Sequence, residues 1–271
     1  MVRSLYTAAT GMRAQQTNVD NISNNLANVN TTGYKAQKAE FKSLLYQNIQ
    51  TRTTSANGAQ KPVGAQVGLG TRVASNTQIF TQGILEESAH TTDFALSGNG
   101  FFSVRGEDGQ TYYTRNGRFT WSVDNNTVRL TDTDGRAVLD INGNPIQLPA
   151  NIPSDNAVFS QAGLMGYNDA QGRFVSLNQQ MGLFQFNNPA GLERKANSLY
   201  AVTEASGPAI NEANSADVKR TQVVQGYLEG SNVQVADEMV SLIIAQRAYQ
   251  LNSKAITASD EMLEQANNLR R

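Results

Sequence analysis

Cysteine is absent from this chain of 271 residues, and its absence excludes several kinds of chemistry at once. Without cysteine there is no disulfide bond, no thiolate metal ligand and no cysteine nucleophile. The single histidine, His90, lies in the sequence AHTTDF, which lacks the nucleophile-elbow context of a serine hydrolase triad. We interpret His90 as a surface or turn residue. The sequence therefore predicts no catalytic residue, no cofactor and no metal site.

Charge is also scarce. Only 17% of residues are charged, the formal net charge is −1, and basic residues are scattered along the chain. The sequence thus predicts neither a nucleic-acid partner nor a polybasic membrane surface. It contains no apolar run long enough to span a bilayer, and the N-terminal MVRSLYTAATGM lacks the apolar core of a secretory signal. These features predict a cytoplasmic location unless export needs no cleaved signal.

Glycine and proline are both missing from the stretch between Ser231 and Leu269, which we predict to be one long helix. A Ser231–Gln234 capping box is expected at its start. Acidic Asp237 and Glu238 near the start, and Arg270 and Arg271 at the end, suit the helix dipole. One apolar row recurs every seven residues and a second row is expected to widen it. The rows are Val235, Leu242, Tyr249, Ile256 and Leu263, and Ala248, Ala255, Met262 and Leu269.

The first thirty residues show the same heptad pattern, with a plausible helix stop at Asn30–Gly33. Their two rows are Leu5, Met12, Val19 and Leu26, and Ala8, Gln15, Ile22 and Val29. Two striped helices at opposite chain ends most simply pack against each other or against other copies of the chain. The alternative is a terminal helix folded onto its own domain.

Asparagine is a poor helix former, yet four asparagines follow a spacing of three and four within the N-terminal helix. They are Asn18, Asn21, Asn25 and Asn28. One interpretation is a solvated polar face. The other is a ladder of amides at a contact between chains, where hydrogen bonds fix the register.

Hydrophobic patterning nearly disappears between Gln50 and Gln78, a segment rich in Gln, Thr, Ser, Ala and Gly. The composition favours a flexible loop over a long hairpin turning near Asn57 and Gly58.

From Ile79 to about Tyr227 the pattern is typical of antiparallel β structure, because short aromatic and β-branched runs are separated by turn dipeptides. The dipeptides are Asp108–Gly109, Asn116–Gly117, Asp134–Gly135 and Asn142–Gly143. Later strands are predicted at Met181–Phe186 and Leu199–Val202. The aspartates around Asp132 and Asp140 do not have the spacing of a calcium loop and are interpreted as turn residues.

We therefore predict an α+β protein. Long N- and C-terminal helices, in residues 1–33 and 228–271, are expected to pack together as a coiled-coil-like assembly domain. Residues 34–78 form a connecting segment with an extended loop or hairpin, and residues 79–227 form an inserted, mainly antiparallel β domain.

Three separated motifs in this order resemble the bacterial flagellar rod and hook axial proteins. They are NISNNLANVNTTGYKAQKAEF at 21–41, FALSGNGFFSV at 94–104, and QGYLEGSNVQVADEMVSLIIAQRAYQLNSKAITASDEML at 225–263. The resemblance covers both chain ends and the start of the β domain. The chain length and the Gln50–Gln78 insertion favour a subunit of the distal rod over a hook subunit. A proximal rod or hook-like subunit is the alternative within the family.

The resemblance implies a structural, non-enzymatic protein that polymerises into a helical tube and transmits torque. It implies export without a cleaved signal to the flagellar basal body, outside the cytoplasmic membrane. The implied partners are other copies of the chain, other rod and hook proteins, the rings or bushing around the rod, and the export apparatus, with no nucleic acid and no membrane insertion. The expected assembly residues are Leu5, Met12, Val19, Ile22, Asn25, Leu26 and Val29 in the N-terminal helix, and Val235, Leu242, Tyr249, Ile256 and Leu263 in the C-terminal helix.

Two alternatives belong to other classes of protein. A secreted cell-wall-active enzyme would need paired carboxylates in a cleft. A passive adhesion module would be fully folded as a monomer, with protected chain ends.

Overall fold

The computed structural model describes residues 2–50, 65–124, 127–149, 152–169, 173–215 and 218–269. They divide into two compact units. The helical unit comprises the described parts of Met1–Ala27, Gln37–Gln78 and Gln234–Arg271, and the β unit those of Asn28–Ala36 and Ile79–Val233. Of the segment 34–78, which we expected to be a connection, the described part of residues 37–78 thus groups with the terminal helices and residues 34–36 group with the β unit. The described residues have an α+β composition with antiparallel strand pairs, as predicted.

The helical unit contains two long helices and two pairs of strands. Its elements are α1 (Val2–Ala27), β1 (Gln37–Ser43), β2 (Tyr46–Gln50), β3 (Ala65–Gly68), β4 (Thr71–Gln78) and α2 (Val235–Asn268).

Helix α2 starts four residues later than Ser231, and the predicted capping box is wrong. Gln234 is the N-cap residue but makes no side-chain cap hydrogen bond. The Ser231 hydroxyl instead accepts a hydrogen bond from the Val233 N–H at 3.2 Å, in the turn before the helix. Asp237 and Glu238 do lie in the first turn, where negative charge favours the positive end of the helix dipole. The expected contribution of Arg270 and Arg271 lies outside the described residues.

Helix α1 ends at Ala27, so Val29 lies beyond the helix in which we expected it. Val29 packs instead against a small buried cluster of Tyr34, Ala36 and Val233 in the β unit. The chain reverses at Gly33, whose φ of +67° suits glycine and whose Cβ, if present, would lie 2.7 Å from the Arg115 backbone. The helix thus ends before the predicted stop at Asn30–Gly33, which lies in the turn that follows, and the placement of Val29 on the helix is wrong.

The described part of the insertion forms one arm of a hairpin with the strands that precede it, contrary to the loop that its composition favoured. Strand β1 pairs antiparallel with β4, from Gln37 opposite Gln78 to Ser43 opposite Thr71. Strand β2 pairs antiparallel with β3, beginning at Tyr46 opposite Gly68. Backbone hydrogen bonding therefore overrides the weak hydrophobic pattern. The turn expected near Asn57 and Gly58 lies outside the described residues.

The β unit is built of short antiparallel strands, as the spacing of turn signals predicted. Its strands are β5 (Leu85–Glu87), β6 (Phe94–Ser97), β7 (Phe101–Arg105), β8 (Thr111–Thr114), β9 (Phe119–Asp124), β10 (Thr127–Asp132), β11 (Gln147–Leu148), β12 (Ala157–Phe159), β13 (Leu164–Asn168), β14 (Phe174–Gln180), β15 (Leu183–Gln185), β16 (Glu193–Arg194), β17 (Leu199–Ala201), β18 (Ile210–Asn211), β19 (Gln222–Gln225) and β20 (Tyr227–Glu229). Single 3-10 turns span Ser154–Asn156 and Pro189–Gly191.

The largest sheet of the β unit has six strands in the order β16-β17-β8-β7-β15-β18. Two three-stranded sheets, β11-β10-β9 and β12-β13-β14, and the pairs β19-β6 and β20-β5 complete the unit. The predicted strands at 181–186 and 199–202 correspond to β15 and β17.

Three of the four turn dipeptides occupy turns, with positive φ at Gly109, Gly135 and Gly143. The fourth has a different role. Gly117 lies between β8 and β9, which do not pair with each other. A Cβ at Gly117 would lie 1.7 Å from the Phe94 carbonyl oxygen. Close backbone approach, rather than a tight hairpin, requires this glycine.

The main core of the β unit is rich in aromatic and aliphatic side chains. Phe94 and Phe159 meet edge to face at 4.8 Å between ring centroids, and Phe102 and Phe119 at 5.2 Å. Leu130 is fully buried in the same core, and Trp121 packs against it. Burial of these side chains supplies the main driving force for folding of the β unit.

A second feature of the β unit is a buried cluster of charges centred on Glu229. Its carboxylate accepts hydrogen bonds from Lys35 Nζ at 2.6 Å, from Arg115 at 3.2 Å and from the Gly83 N–H at 2.9 Å. The Lys35 and Glu229 side chains are fully buried. Burial lowers the pKa of the Lys35 ammonium, and the Glu229 carboxylate opposes that shift. One carboxylate thus compensates two buried cations from distant parts of the sequence.

We predict that Leu130→Ala destabilises the β unit by about 2–5 kcal/mol, because it leaves a cavity at a fully buried position. The matched control is Val123→Ala in the neighbouring strand, since Val123 is 75% exposed, and we expect it to change stability by less than about 0.5 kcal/mol. Trp121, the only tryptophan, lies opposite Leu130 and reports unfolding by fluorescence in urea. Equal midpoints for the two variants would contradict the assigned core.

We also predict that Glu229→Gln costs about 3–5 kcal/mol, because it leaves two buried cations without their counter-ion. Lys35→Met should cost less, since Arg115 continues to pair with Glu229 and the methionine fills much of the lysine volume. The measurement is again urea unfolding followed by Trp121 fluorescence. The interpretation fails if Lys35→Met proves the more damaging substitution.

Candidate assembly surface

Helices α1 and α2 pack antiparallel in the helical unit, through residues that recur every seven positions. Asn25 Nδ2 donates a hydrogen bond to Glu238 Oε1 at 3.0 Å, and the hydroxyls of Ser4 and Ser259 are 3.2 Å apart. Between them, Gly11 lies so close to Asn252 that a Cβ on the glycine would be 2.8 Å from Asn252 Nδ2. As the residue number rises by seven on α1, it falls by seven on α2, which defines an antiparallel register.

The centre of this seam is made of small and polar side chains rather than of the predicted apolar rows. On α2 it includes Ala245 and Ser259, both nearly fully buried, together with Glu238 and Asn252. The register places Asn18 opposite Ala245. Small residues allow the two helix backbones to approach each other closely. The α1 side of this seam can be read from the sequence as a heptad row of Ser4, Gly11, Asn18 and Asn25. A search for apolar residues alone does not identify it.

The predicted assembly rows flank the seam. Leu5, Met12, Val19, Leu26, Leu242 and Ile256 are half-buried, and Ile22 is buried. Val235, Tyr249 and Leu263 keep 36% to 42% of their surface exposed. Val19 and Tyr249 line a groove of about 360 Å³ between the helices, with Gln16, Gln246 and Gln250. The structure thus brings both rows to one side of the helix pair and leaves them partly open.

Three of the four asparagines make side-chain hydrogen bonds within the chain. Asn28 Oδ1 accepts one from the Thr31 hydroxyl at 3.2 Å, and the other two bond to the hairpin. Asn21 Nδ2 donates to Asn76 Oδ1 on β4 at 3.0 Å. The fully buried Asn25 donates to the Gln37 carbonyl oxygen at 2.8 Å and accepts from the Gln37 N–H at 2.9 Å. These amides therefore attach the hairpin to α1. Neither of the two interpretations of the asparagine row, a solvated polar face or a contact between chains, predicted this role.

The second row predicted on α2, from Ala248 to Leu269, lies beside the seam on the side opposite the flanking row, and it is exposed from Ala255 onward. There, Met262 joins Val240, Ile244 and Leu251 in a stripe that we call the outer face of α2. These four side chains are each between 50% and 67% exposed. Their spacing of four, seven and eleven residues places them on one side of a helix. Helix α2 thus has two apolar sides. The sequence pattern predicted them as one widened stripe.

Comparison with known proteins agrees with this architecture. The family model described as "Flagella basal body rod protein" matches residues 5–35, "Flagellar hook protein FlgE/F/G D1 domain" matches residues 95–165, and "Flagellar basal body rod FlgEFG protein C-terminal" matches residues 224–269. The chain is 41% identical to the flagellar basal-body rod protein FlgG of Borreliella burgdorferi over 100% of both chains. The chain belongs to the flagellar basal-body rod family.

Two more FlgG proteins support the same assignment. Identity is 40% to the protein of Agrobacterium fabrum, over 96% of this chain and 97% of the relative, and 35% to that of Bacillus subtilis, over 100% of both. The chain is accordingly a structural protein of the distal rod and is not an enzyme.

Two other residues that the sequence analysis singled out contribute to turns. His90 is exposed, and its backbone carbonyl accepts a hydrogen bond from the Asp93 N–H at 3.3 Å. Asp140 Oδ1 accepts from the Asn142 and Asn144 N–H groups, so this carboxylate stabilises a turn. Among the described residues, there is no group of His, Asp and Glu that could hold a metal ion. Within the same residues, no helix is both long and apolar enough to cross a bilayer.

We predict that Asn25→Ala loosens the helical unit of this rod protein by about 1–3 kcal/mol, because it leaves the Gln37 backbone groups without their partner at a buried position. Hydrogen exchange measured by mass spectrometry should be faster in α1 and β1. Ser23→Ala, two residues away on the exposed side of the same helix, is the control and should leave exchange nearly unchanged. The same exchange pattern in both variants would contradict the assigned role of Asn25.

Proposed function

We propose that the chain polymerises into a helical tube that carries torque from the motor to the hook, and that the helical unit makes the contacts between copies. The observation that carries this proposal is the open groove between α1 and α2, in which Val19 and Tyr249 remain accessible. Family membership supports self-association and contact with other flagellar axial proteins. Heterologous contacts that do not close produce such a filament.

The assembly residues are those of the flanking rows, from Leu5 to Leu26 on α1 and from Val235 to Leu263 on α2. Their heptad spacing supports coiled-coil-like packing of the terminal helices. The assembly domain comprises residues 1–33 and 228–271, and residues 79–227 form the outer layer of the tube. The packing of α1 with α2 and the separate core of the β unit support this division for residues 2–27 and 234–269, whereas residues 28–33 and 228–233 pack in the β unit.

The hairpin stiffens the polymer. Its arms are attached to α1 by the amide contacts of Asn21 and Asn25, and the Thr71 N–H donates to the Thr10 hydroxyl at 3.4 Å. A rod under torque needs elements that resist shear, and a hairpin bonded along a helix provides one.

The site of action is the flagellar basal body outside the cytoplasmic membrane, in the periplasm or cell wall. The chain reaches it through the flagellar export apparatus without a cleaved signal. Neighbouring rod and hook proteins, and the rings or bushing around the rod, complete its set of partners.

We predict that Leu242→Asp or Ile256→Asp blocks polymerisation, because a carboxylate replaces a half-buried aliphatic side chain beside the seam. The critical concentration for polymer, measured by sedimentation and electron microscopy of the full chain, should rise at least about tenfold, equivalent to about 1.4 kcal/mol.

Thr257→Asp, at an exposed polar position of the same helix, is the matched control and should polymerise like the natural chain. Trp121 fluorescence checks that the β unit stays folded in all three variants. If Leu242→Asp or Ile256→Asp still forms filaments at the critical concentration of the natural chain, the flanking rows are not the assembly surface.

A further inference from the structure

Four Asn–Gly dipeptides occur in the chain, and this dipeptide has a chemistry of its own. The backbone nitrogen of the glycine can attack the side-chain carbonyl carbon of the asparagine, because glycine has no Cβ to hinder the approach. Three of them, Asn99–Gly100, Asn116–Gly117 and Asn142–Gly143, lie in the β unit, and Asn57–Gly58 lies outside the described residues. The three described dipeptides differ in how firmly the two reacting groups are held.

At Asn142–Gly143 the nitrogen that would attack is already hydrogen-bonded. The Gly143 N–H donates to the Asp140 carbonyl oxygen at 3.1 Å. Asp140 Oδ1 accepts from the N–H groups of Asn142 at 2.8 Å and Asn144 at 2.7 Å, so the turn is fixed on both sides of the dipeptide. A reaction here would first have to break the turn.

At Asn116–Gly117 both residues are held in place. Asn116 is half-buried, and its Oδ1 accepts a hydrogen bond from the Arg118 N–H at 3.1 Å. The Gly117 carbonyl oxygen accepts one from the Phe94 N–H at 2.9 Å, and a Cβ on Gly117 would lie 1.7 Å from the Phe94 carbonyl oxygen. The glycine backbone therefore packs against β6 and cannot turn toward the asparagine side chain without breaking this contact.

Asn99–Gly100 differs from the other two dipeptides in both respects. Asn99 is exposed, in the bend between β6 and β7. Within the part of the chain that the structure describes, neither the Asn99 side chain nor the Gly100 N–H makes a hydrogen bond. The side-chain carbonyl carbon and the nitrogen that would attack it are therefore both available.

We propose that Asn99 is a site of spontaneous deamidation. The Gly100 nitrogen forms a bond to Cγ of Asn99 and gives up its proton, and the side-chain nitrogen leaves as ammonia, which closes a succinimide ring. Water then adds to either carbonyl carbon of the ring and breaks the bond from that carbon to the ring nitrogen, which leaves aspartate or isoaspartate. The inference goes beyond the proposed function and does not depend on it.

Isoaspartate would change a closely packed connection, because it places the side-chain methylene in the backbone and so lengthens it. The Gly98 carbonyl oxygen accepts a hydrogen bond from Arg115 at 2.7 Å. A Cβ on Gly100 would lie 2.7 Å from Thr221 Oγ1. The chemistry at an exposed asparagine thus acts on contacts in the interior of the β unit. In a polymer whose subunits stay in place, the product would accumulate with time.

Peptide mapping by mass spectrometry tests the proposal on the full-length natural chain, incubated in a mildly alkaline buffer while Trp121 fluorescence checks that it stays folded. The acid differs in mass from the amide, so the converted fraction is measured at each dipeptide in one sample. We expect conversion at Asn99 to be several-fold faster than at Asn116 and Asn142, with isoaspartate among the products. Asn99→Gln is the matched control, because its longer side chain closes the corresponding ring much more slowly, and it should lose the conversion at this position alone.

Unfolding the natural chain in guanidinium chloride removes the influence of the fold, and the three conversion rates should then converge. The proposal is overturned if Asn116 or Asn142 converts as fast as Asn99 in the folded chain. It is also overturned if Asn99 stays faster by the same factor after unfolding, because the local sequence and not the fold would then select it. An unchanged Asn99 in the folded chain, under conditions where the unfolded chain converts there, would overturn it as well, since the fold would then protect this residue.

Discussion

Antiparallel pairing of α1 and α2 is the constraint on which the helical unit depends. The two helices come from opposite ends of the chain, yet Ser4 meets Ser259 and Asn25 meets Glu238. The entropy of closing so long a loop grows only slowly with its length, so a continuous seam can offset it. The small residues at the seam, Gly11 and Ala245 among them, let the helices lie close together. Apolar side chains beside the seam, such as Leu242 and Ile256, stay partly exposed in the single chain.

Polar groups, rather than apolar ones, determine how the elements of each unit fit together. In the helical unit, Asn25 joins α1, the hairpin and α2 through three hydrogen bonds at a fully buried position. In the β unit, Glu229 does the same for Lys35 and Arg115. A buried polar group is stable only when its partners are in place. Such groups therefore select one arrangement among the many that apolar burial alone would permit.

A rod subunit needs surfaces that remain unsatisfied in the single chain. Helix α2 provides them by being apolar on two sides, with the flanking row of Leu242 and Ile256 on one and Ile244 and Leu251 on the other. An ordinary surface helix has one apolar stripe and a polar back. The exposed aliphatic residues would be a liability in a monomeric protein, and the proposed polymer would cover them.

The sequence by itself determined the helical ends, the antiparallel β domain and the resemblance to flagellar axial proteins. These properties follow from local periodicity, turn residues and composition, which need no knowledge of distant contacts. Only the tertiary structure decided the rest. The hairpin was not favoured over a loop because cross-strand hydrogen bonds leave little trace in a polar sequence. The roles of Asn25 and Glu229 depend on partners far away along the chain. The seam was missed because Gly11 and Ala245 matter for their small size, which a hydrophobic pattern does not record. The second row on α2 was identified from its spacing, but the side of the helix that it occupies is defined only by where α1 lies.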